Sequence, residues 1–588
     1  MVDTLISILD QHVEQQPNRR ALAFVDDKGR QSHGETFAEV QRGAQEVAGS
    51  LRARNMFQQP VILLYPTGPE FVHAFLGCLY SGAVAVPSPL PSGRKYYLER
   101  VRHMLSDCGA ALVLVDEQWK DRISDDLASE GGRDVEVATL RELRMERPEL
   151  WRDPVISAEH LMLLQYSSGS TGAPKGVMVD HANLRENSAV LQARWGGHRD
   201  SVYGSWLPLF HDMGLIGTLL QIFYLGCSGV FMAPVTFVKR PHLWLRMISD
   251  YRVDIAGAPN FGYEHCLRQV RDDQIAGIDL SSWRVAFNGA EPVRAKTLSR
   301  FNQRFQSFGF DPAAQTPSYG LAEATLCVAC HDRDSVHRVL EVDADALATH
   351  QRIVPLPNGH PLVACGAVHD APSPAPEVRI VDPNTLEVLP EARVGEIWVA
   401  GASVARGYWG REAESNATFR ARLAGECATE YLRTGDLGFV LQGELYITGR
   451  LKDLIVFNGR NISPEDIERV AEEDSGMVDA LGEAVAFAVD DRNQEVVVII
   501  QELATNDPGA EALSQAARTI RTRVLSEIQV DVARLLFVPH RTLPRTTSGK
   551  KQRRRAGELF REKGLAHPVY DEDFSTPATG RRVQAVQG

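Results

Sequence analysis

Apolar and polar positions fall in alternating blocks along this chain. Short apolar runs at 21–25, 61–65, 83–86 and 111–115 read as strands, separated by segments long enough for helices. Runs at 255–258, 284–287, 396–400 and 444–447 continue the pattern. Such alternation predicts an α/β architecture with mostly parallel sheets. No internal repeat of fixed period underlies it.

Two places break the rhythm. The segment 331–381 carries Pro355, Pro357, Pro361, Pro372, Pro374 and Pro376, and is expected to be largely irregular with one helix near 342–348. A second change falls at Gly449-Arg450-Leu451-Lys452-Asp453. Beyond it, strands at 484–489 and 496–501 and a helix at 516–528 predict a small α+β domain. The chain thus divides into a large domain over 1–449 and a small one over 450–588, with a tail after about 574 that is polar and expected to fray.

Composition changes this picture mainly by exclusion. With 588 residues the chain is too long for one core, so roughly three or four compact units are expected. Hydrophobic residues at 44% and charged residues at 24% are ordinary for a soluble globular protein. A net charge of −13 argues against nucleic acid as a general partner. The first residues hold Asp3 and no basic stretch, so no export signal is expected. No apolar run approaches the ~18 residues of a membrane span, so no stable membrane insertion is expected. Eight scattered cysteines fit reduced thiols in a cytoplasm. Cys327-Val328-Ala329-Cys330-His331 matches a haem-attachment pattern. Without export, both cysteines are expected to be buried small apolar residues.

Candidate chemistry begins at Ser167-Ser168-Gly169-Ser170-Thr171-Gly172-Ala173-Pro174-Lys175, which follows the apolar stretch 161–164. Glycines let several backbone N–H groups point inward together, and with the hydroxyls beside them they form a nest for phosphate oxygens. A flexible linker has the same composition. The string is not a Walker A loop.

Further strings follow in order. They are Trp206-Leu207-Pro208-Leu209-Phe210-His211-Asp212-Met213-Gly214, then Phe287-Asn288-Gly289-Ala290-Glu291-Pro292, then Ser318-Tyr319-Gly320-Leu321-Ala322-Glu323. After these come Thr434-Gly435-Asp436, Gly449-Arg450-Leu451-Lys452-Asp453 and Thr546-Thr547-Ser548-Gly549-Lys550. Together they resemble the core motifs of the adenylate-forming superfamily of acyl-CoA synthetases, adenylation domains and luciferases, over about residues 5–565. The resemblance implies a large domain of packed α/β subdomains with a distorted β-barrel, and a small, mobile C-terminal domain.

It also implies roles. Ser167, Ser168, Gly169, Ser170, Thr171, Gly172 and Lys175 would hold the β- and γ-phosphates of ATP. Glu323 would place Mg²⁺ against phosphate oxygens. Tyr319 would stack on adenine between Ser318 and Gly320, with Asn288, Gly289, Ala290 and Glu291 along the base's edge. Asp436 would hold the ribose hydroxyls, with Arg450 as a second contact. Lys550 would bridge the substrate carboxylate and the α-phosphate, Lys452 would be the hinge, and His211 would border the acyl pocket.

Ala322 stands where many superfamily members have threonine. The Tyr-Gly-Leu-Ala-Glu-Ala-Thr form resembles that of the fatty acyl-AMP ligases, as does an extra segment at about 331–363. In that subgroup the segment goes with loss of productive CoA use. The acyl group passes instead to the phosphopantetheine thiol of an acyl carrier protein, of polyketide or nonribosomal peptide synthase type. An acyl-CoA synthetase, and a silent scaffold on the same fold, are the alternatives. For an acidic carrier, Arg553, Arg554 and Arg555 are expected to form a basic docking rim.

Overall fold

Most strands read from the apolar runs assemble into two mostly parallel sheets in a computed structural model, whereas those at 396–400 and 444–447 join an antiparallel one. The structure describes residues 4–90, 95–128, 135–145, 155–167, 174–368, 375–426, 428–457, 460–472, 481–491, 494–504, 508–546, 550–562, 564 and 568–574. In the first sheet Arg20–Val25, Ser228–Met232, Val202–Ser205, Ile255–Ala258, Val285–Asn288 and Gln315–Gly320 lie side by side in parallel. Antiparallel strands Gln31–Thr36 and Cys327–Cys330 flank its two edges. In the second, Glu136–Ala138, Leu112–Val115, Pro60–Leu64, Val84–Ser88 and Leu161–Ser167 run parallel, and Lys175–Asp180 closes the edge antiparallel. Parallel strands are covered on both faces, which explains why they read as continuous apolar runs. All five residues of Pro60–Leu64 and of Val84–Ser88 are buried.

A third, six-stranded sheet is antiparallel throughout and stands where the distorted barrel is expected. Here the structure corrects the reading of 331–381. Val339–Val342 and His360–Ala367 are strands of this sheet, and the helix between them is Ala344–His350. Val342 ends the strand rather than starting the helix, and Asp343 caps the helix by accepting from the N–H groups of Asp345 and Ala346. Pro355 and Pro357 sit in the connection between these two strands, Pro376 just precedes the strand Glu377–Val381, and Pro361 is the second residue of His360–Ala367, opposite Glu341; Pro372 and Pro374 lie outside the described residues.

Beyond the strand Glu444–Arg450 the chain turns at 451–453 and builds a separate core. The helices Pro464–Glu472 and Ala510–Ile528 pack on a four-stranded sheet of Leu481–Asp491, Gln494–Leu503, Val532–Val538 and Tyr570–Asp573. Lys452 is exposed within the turn. Cys327 and Cys330 are buried, as expected for apolar residues, and all seven described cysteines are free and buried. Among the described residues no helix is long and apolar enough to cross a membrane.

Candidate active site

The two stems of the phosphate loop are adjacent strands in register, with Ser167 opposite Lys175. Residues 168–173 between them, including Ser168, Gly169, Ser170, Thr171 and Gly172, lie outside the described residues. The stems are tied by an ionic chain. Tyr166 OH donates to Asp107 at 2.7 Å, Arg411 donates to Asp107 at 2.8 Å, and Glu414 pairs with both Arg411 and Lys175. Lys175 Nζ also sits 4.9 Å from the Tyr408 ring centroid.

Glu323 lies on a single 3₁₀ turn, Ala322–Ala324, between two strands of the first sheet. The turn is tightly closed: Leu321 N–H donates to Leu326 O, and Leu326 N–H to Ala324 O. Thr325 pays the conformational penalty, with φ 68° and ψ −56°, a γ-turn that β-branched residues rarely adopt. Its hydroxyl donates to Ser403 O at 2.6 Å. Tyr408 OH donates to Glu323 Oε1 at 2.9 Å, and burial pushes the Glu323 carboxyl above its usual range. A methyl group at Gly320 would meet Leu326 O at 1.8 Å, a clash with backbone that cannot step aside. Gly320→Ala is therefore expected to displace the Glu323 turn. ATP–pyrophosphate exchange should fall at least tenfold, alongside a lowered melting temperature.

Across from this turn, Tyr319 is buried and its OH donates to Asp436 Oδ2 at 2.8 Å. Arg450 Nε donates to Asp436 Oδ1 at 3.0 Å, the two residues being opposite in neighbouring strands. Asn288 ends a parallel strand, and its Oδ1 is buried without a partner among the described residues. Gly289 passes Ser318 so closely that a Cβ would lie 2.9 Å from its carbonyl oxygen. Ala290 then turns the chain at φ 68°. Ser318 Oγ donates to Thr316 O at 3.0 Å.

Glu291 follows that turn and accepts from Phe261 N–H. Burial, with the Glu483 charge adding to it, pushes its carboxyl up to about 7 from 4.5. A carboxyl raised in the folded state keeps its proton while the unfolded chain releases its own. Stability therefore falls as pH rises from 4.5 to about 7, and is level above. Glu291→Gln keeps the acceptor and removes the titration. Relative to the wild type it should gain about 1–2 kcal/mol between pH 5 and pH 8, in urea unfolding at the two values.

Lys550 arrives from the small domain and is half-buried among these groups. Burial and the Arg450 charge lower its pKa, while Asp212, Glu291 and Asp436 oppose that shift. No described carboxylate pairs with it within 4.0 Å. Asp212 is held below its usual range: burial works against its charge, but its contact with His211 and the nearby Lys550 charge outweigh it. His211 Nδ1 lies 2.7 Å from Asp212 Oδ1 and its backbone precedes the short helix Asp212–Gly214. A π-helical turn, Leu215–Leu219, follows at once, a distortion common beside functional sites. His211 is thereby anchored at the Lys550 end of the site.

The seam between the domains is ionic. Arg294 pairs with Glu472 at 2.7 Å, Arg460 with Asp345 at 2.7 Å, and His360 with Asp466 at 3.3 Å. The last two join the segment 331–363 to the small domain around a cavity of about 360 Å³. The basic rim needs correction. Arg553 does not project into solvent: half-buried, it is turned onto Glu465 at 2.7 Å and Glu468 at 2.7 Å, with Asp453 at 3.4 Å. Only Arg554 and Arg555 are exposed, and both pair with Glu558 on their own helix. A helix start places Arg553 over three acids from another helix and the turn at 453, which no local sequence pattern reveals.

Sequence reasoning passed over Asp212 and Tyr408. Asp212 was in view, inside the quoted His211 string. Tyr408 had no local signal, because its importance comes from two residues 85 and 233 positions away that fold onto it.

Comparison with known proteins places these features. Residues 9–409 match the family model described as AMP-binding enzyme. The medium-chain-fatty-acid–[acyl-carrier-protein] ligase JamA of Moorena producens (strain JHB) is 38% identical over 94% of this chain and 94% of its own. The long-chain-fatty-acid–AMP ligase FadD26 of Mycobacterium marinum (strain ATCC BAA-535 / M) is 35% identical over 95% and 97%. Among solved structures, the fatty acyl-adenylate ligase from L. pneumophila in complex with acyl adenylate and pyrophosphate aligns with a TM-score of 0.74. It is 32% identical and covers 98% of each chain.

Proposed function

We infer that the chain, which belongs to the AMP-binding enzyme family and within it to the fatty acyl-AMP ligases, activates a fatty acid with ATP and loads it onto an acyl carrier protein. The first step joins the fatty carboxylate to the α-phosphorus and releases pyrophosphate. The second moves the acyl group from AMP to the phosphopantetheine thiol of the carrier, of polyketide or nonribosomal peptide synthase type. The observation that carries the reading is Lys550, a half-buried cation with no carboxylate within 4.0 Å among the described residues, brought by the small domain to the Asp436 cleft of the large one.

Two anions must approach each other in the first step, so positioning and charge neutralisation are the main levers. Lys550 offsets their repulsion as a point charge at the carboxylate and α-phosphate. Asp436, oriented by Tyr319 and Arg450, accepts from the ribose hydroxyls. The unpartnered Asn288 Oδ1 is an acceptor suited to the adenine amine, with Gly289, Ala290 and Ser318 along the base's edge. Lys175 and the 167–172 loop hold the departing pyrophosphate. His211 borders the acyl pocket at its carboxylate end.

The residues present fit Mg²⁺ brought in with ATP. No side chain donates to Glu323 Oε2 among the described residues, and no cluster of three or more candidate metal ligands exists among them. One protein carboxylate with phosphate oxygens and water is the usual set for this ion, which would neutralise phosphate charge. Free buried thiols accord with a cytoplasmic enzyme.

For the acceptor, the pairs Arg460–Asp345 and His360–Asp466 tie the segment 331–363 to the small domain, which supports the reading that this segment bears on the second step. Incubating the enzyme with laurate, ATP and either CoA or a holo-carrier protein tests this. Acyl-carrier should form at least tenfold faster than acyl-CoA. Faster acyl-CoA formation would make the chain an acyl-CoA synthetase.

A further inference from the structure

We propose that Tyr408 is a positioning residue that holds Lys175 and Glu323 apart and aims each at its own part of the triphosphate. This rests on the adenylating function above. The geometry begins with the backbone. Residues 406–409 run along the open edge of the strand Lys175–Asp180: Arg406 N–H donates to Met178 O at 3.0 Å, Met178 N–H to Gly407 O at 2.9 Å, and Trp409 N–H to Gly176 O at 2.8 Å. Tyr408 is thereby set opposite Val177, two residues from Lys175.

Its side chain is equally fixed. Tyr408 is only 7% exposed, its N–H donates to Ser415 Oγ at 2.9 Å, and Phe419 packs edge-on with ring centroids 5.0 Å apart. The ring face carries the Lys175 ammonium, and the hydroxyl donates to Glu323 Oε1. The same segment also grips the Glu323 turn through its backbone, with Ala405 N–H on Glu323 O at 2.9 Å and Ser403 O on the Thr325 hydroxyl.

A lysine on the face of one ring and a half-buried carboxylate at its hydroxyl would otherwise be free to pair directly. Such a pair would neutralise both charges and leave neither for the substrate. The ring stops that collapse. Lys175 finds its carboxylate in Glu414 instead, a side chain 45% exposed and easily displaced by phosphate. Glu323 receives a neutral donor at Oε1, and among the described residues no side chain donates to Oε2. One side chain thus serves the pyrophosphate grip and the carboxylate suited to a divalent cation.

Two variants separate the halves of this role. Tyr408→Phe keeps the ring under Lys175 and removes only the hydroxyl. With ATP binding measured by calorimetry with and without Mg²⁺, the gain in affinity due to Mg²⁺ should shrink about tenfold. Affinity without Mg²⁺ should stay within twofold. In laurate-dependent ATP–pyrophosphate exchange, kcat should fall about tenfold at a nearly unchanged KM for ATP. Tyr408→Leu should show both losses and, in addition, weaken pyrophosphate binding without Mg²⁺ severalfold, a loss that Phe at this position restores. A Tyr408→Phe enzyme with the wild-type Mg²⁺ gain and wild-type kcat would overturn the proposal. A wild-type enzyme without laurate-dependent exchange would instead overturn the function on which it rests.

Discussion

Lys550→Ala is expected to lose acyl-adenylate formation by about 10²–10³-fold while its melting temperature stays at the wild-type value. The two halves of that expectation have separate causes. Lys550 is a positive charge that the small domain places near Asp212, Glu291 and Asp436. Without it the substrate carboxylate and the α-phosphate would meet with their repulsion unrelieved. Stability responds differently because burial already disfavours the ammonium, and no ion pair within 4.0 Å is lost with it among the described residues. Exchange kinetics and a thermal melt on the same preparation check both. Adenylation at the wild-type rate would remove Lys550 from the reaction.

The largest stability effect is expected one residue further on, in the cluster below Lys551 and Arg553. Glu468 is fully buried and receives Arg553 Nε at 2.7 Å, Arg553 Nη2 at 2.9 Å, Lys551 Nζ at 2.6 Å and Ala486 N–H at 3.1 Å. Glu468→Ala leaves two half-buried cations short of a partner and a backbone donor unmet, which should cost about 3 kcal/mol. Glu472 cannot take over: burial opposes its charge, but Lys551 and Arg294 already outweigh that and hold it down to about 2. Calorimetry should show the small domain melting early, ahead of the large one. A melting profile unchanged from wild type would mean that the cluster contributes no net stability.

These two expectations also mark what could be read from the chain. Strands such as Val285–Asn288 and Leu112–Val115 were legible because burial on both faces leaves an uninterrupted apolar run. The strands Val339–Val342 and His360–Ala367 were not, because Val339 and Leu340 are exposed or half-exposed and prolines punctuate the connection. The site was legible as an ordered series of strings, each implying one contact. What the strings could not show was how the contacts lean on one another. Asp436 is aimed by Tyr319 and Arg450, and Glu323 by Tyr408, across separations of 117, 14 and 85 residues. Arg553, read as part of a surface run of basic residues, turned inward because Glu465, Glu468 and Asp453 converge on it from elsewhere.

The ionic seam between the domains bears on how such enzymes can be recombined. Arg294, Asp345 and His360 stand on one side, and Glu472, Arg460 and Asp466 on the other. A small domain grafted from a relative at the turn 451–453 would inherit only half of each pair. Compatible chimeras must therefore match these six positions as well as the catalytic lysine, so the two domains of this chain are constrained to diverge together.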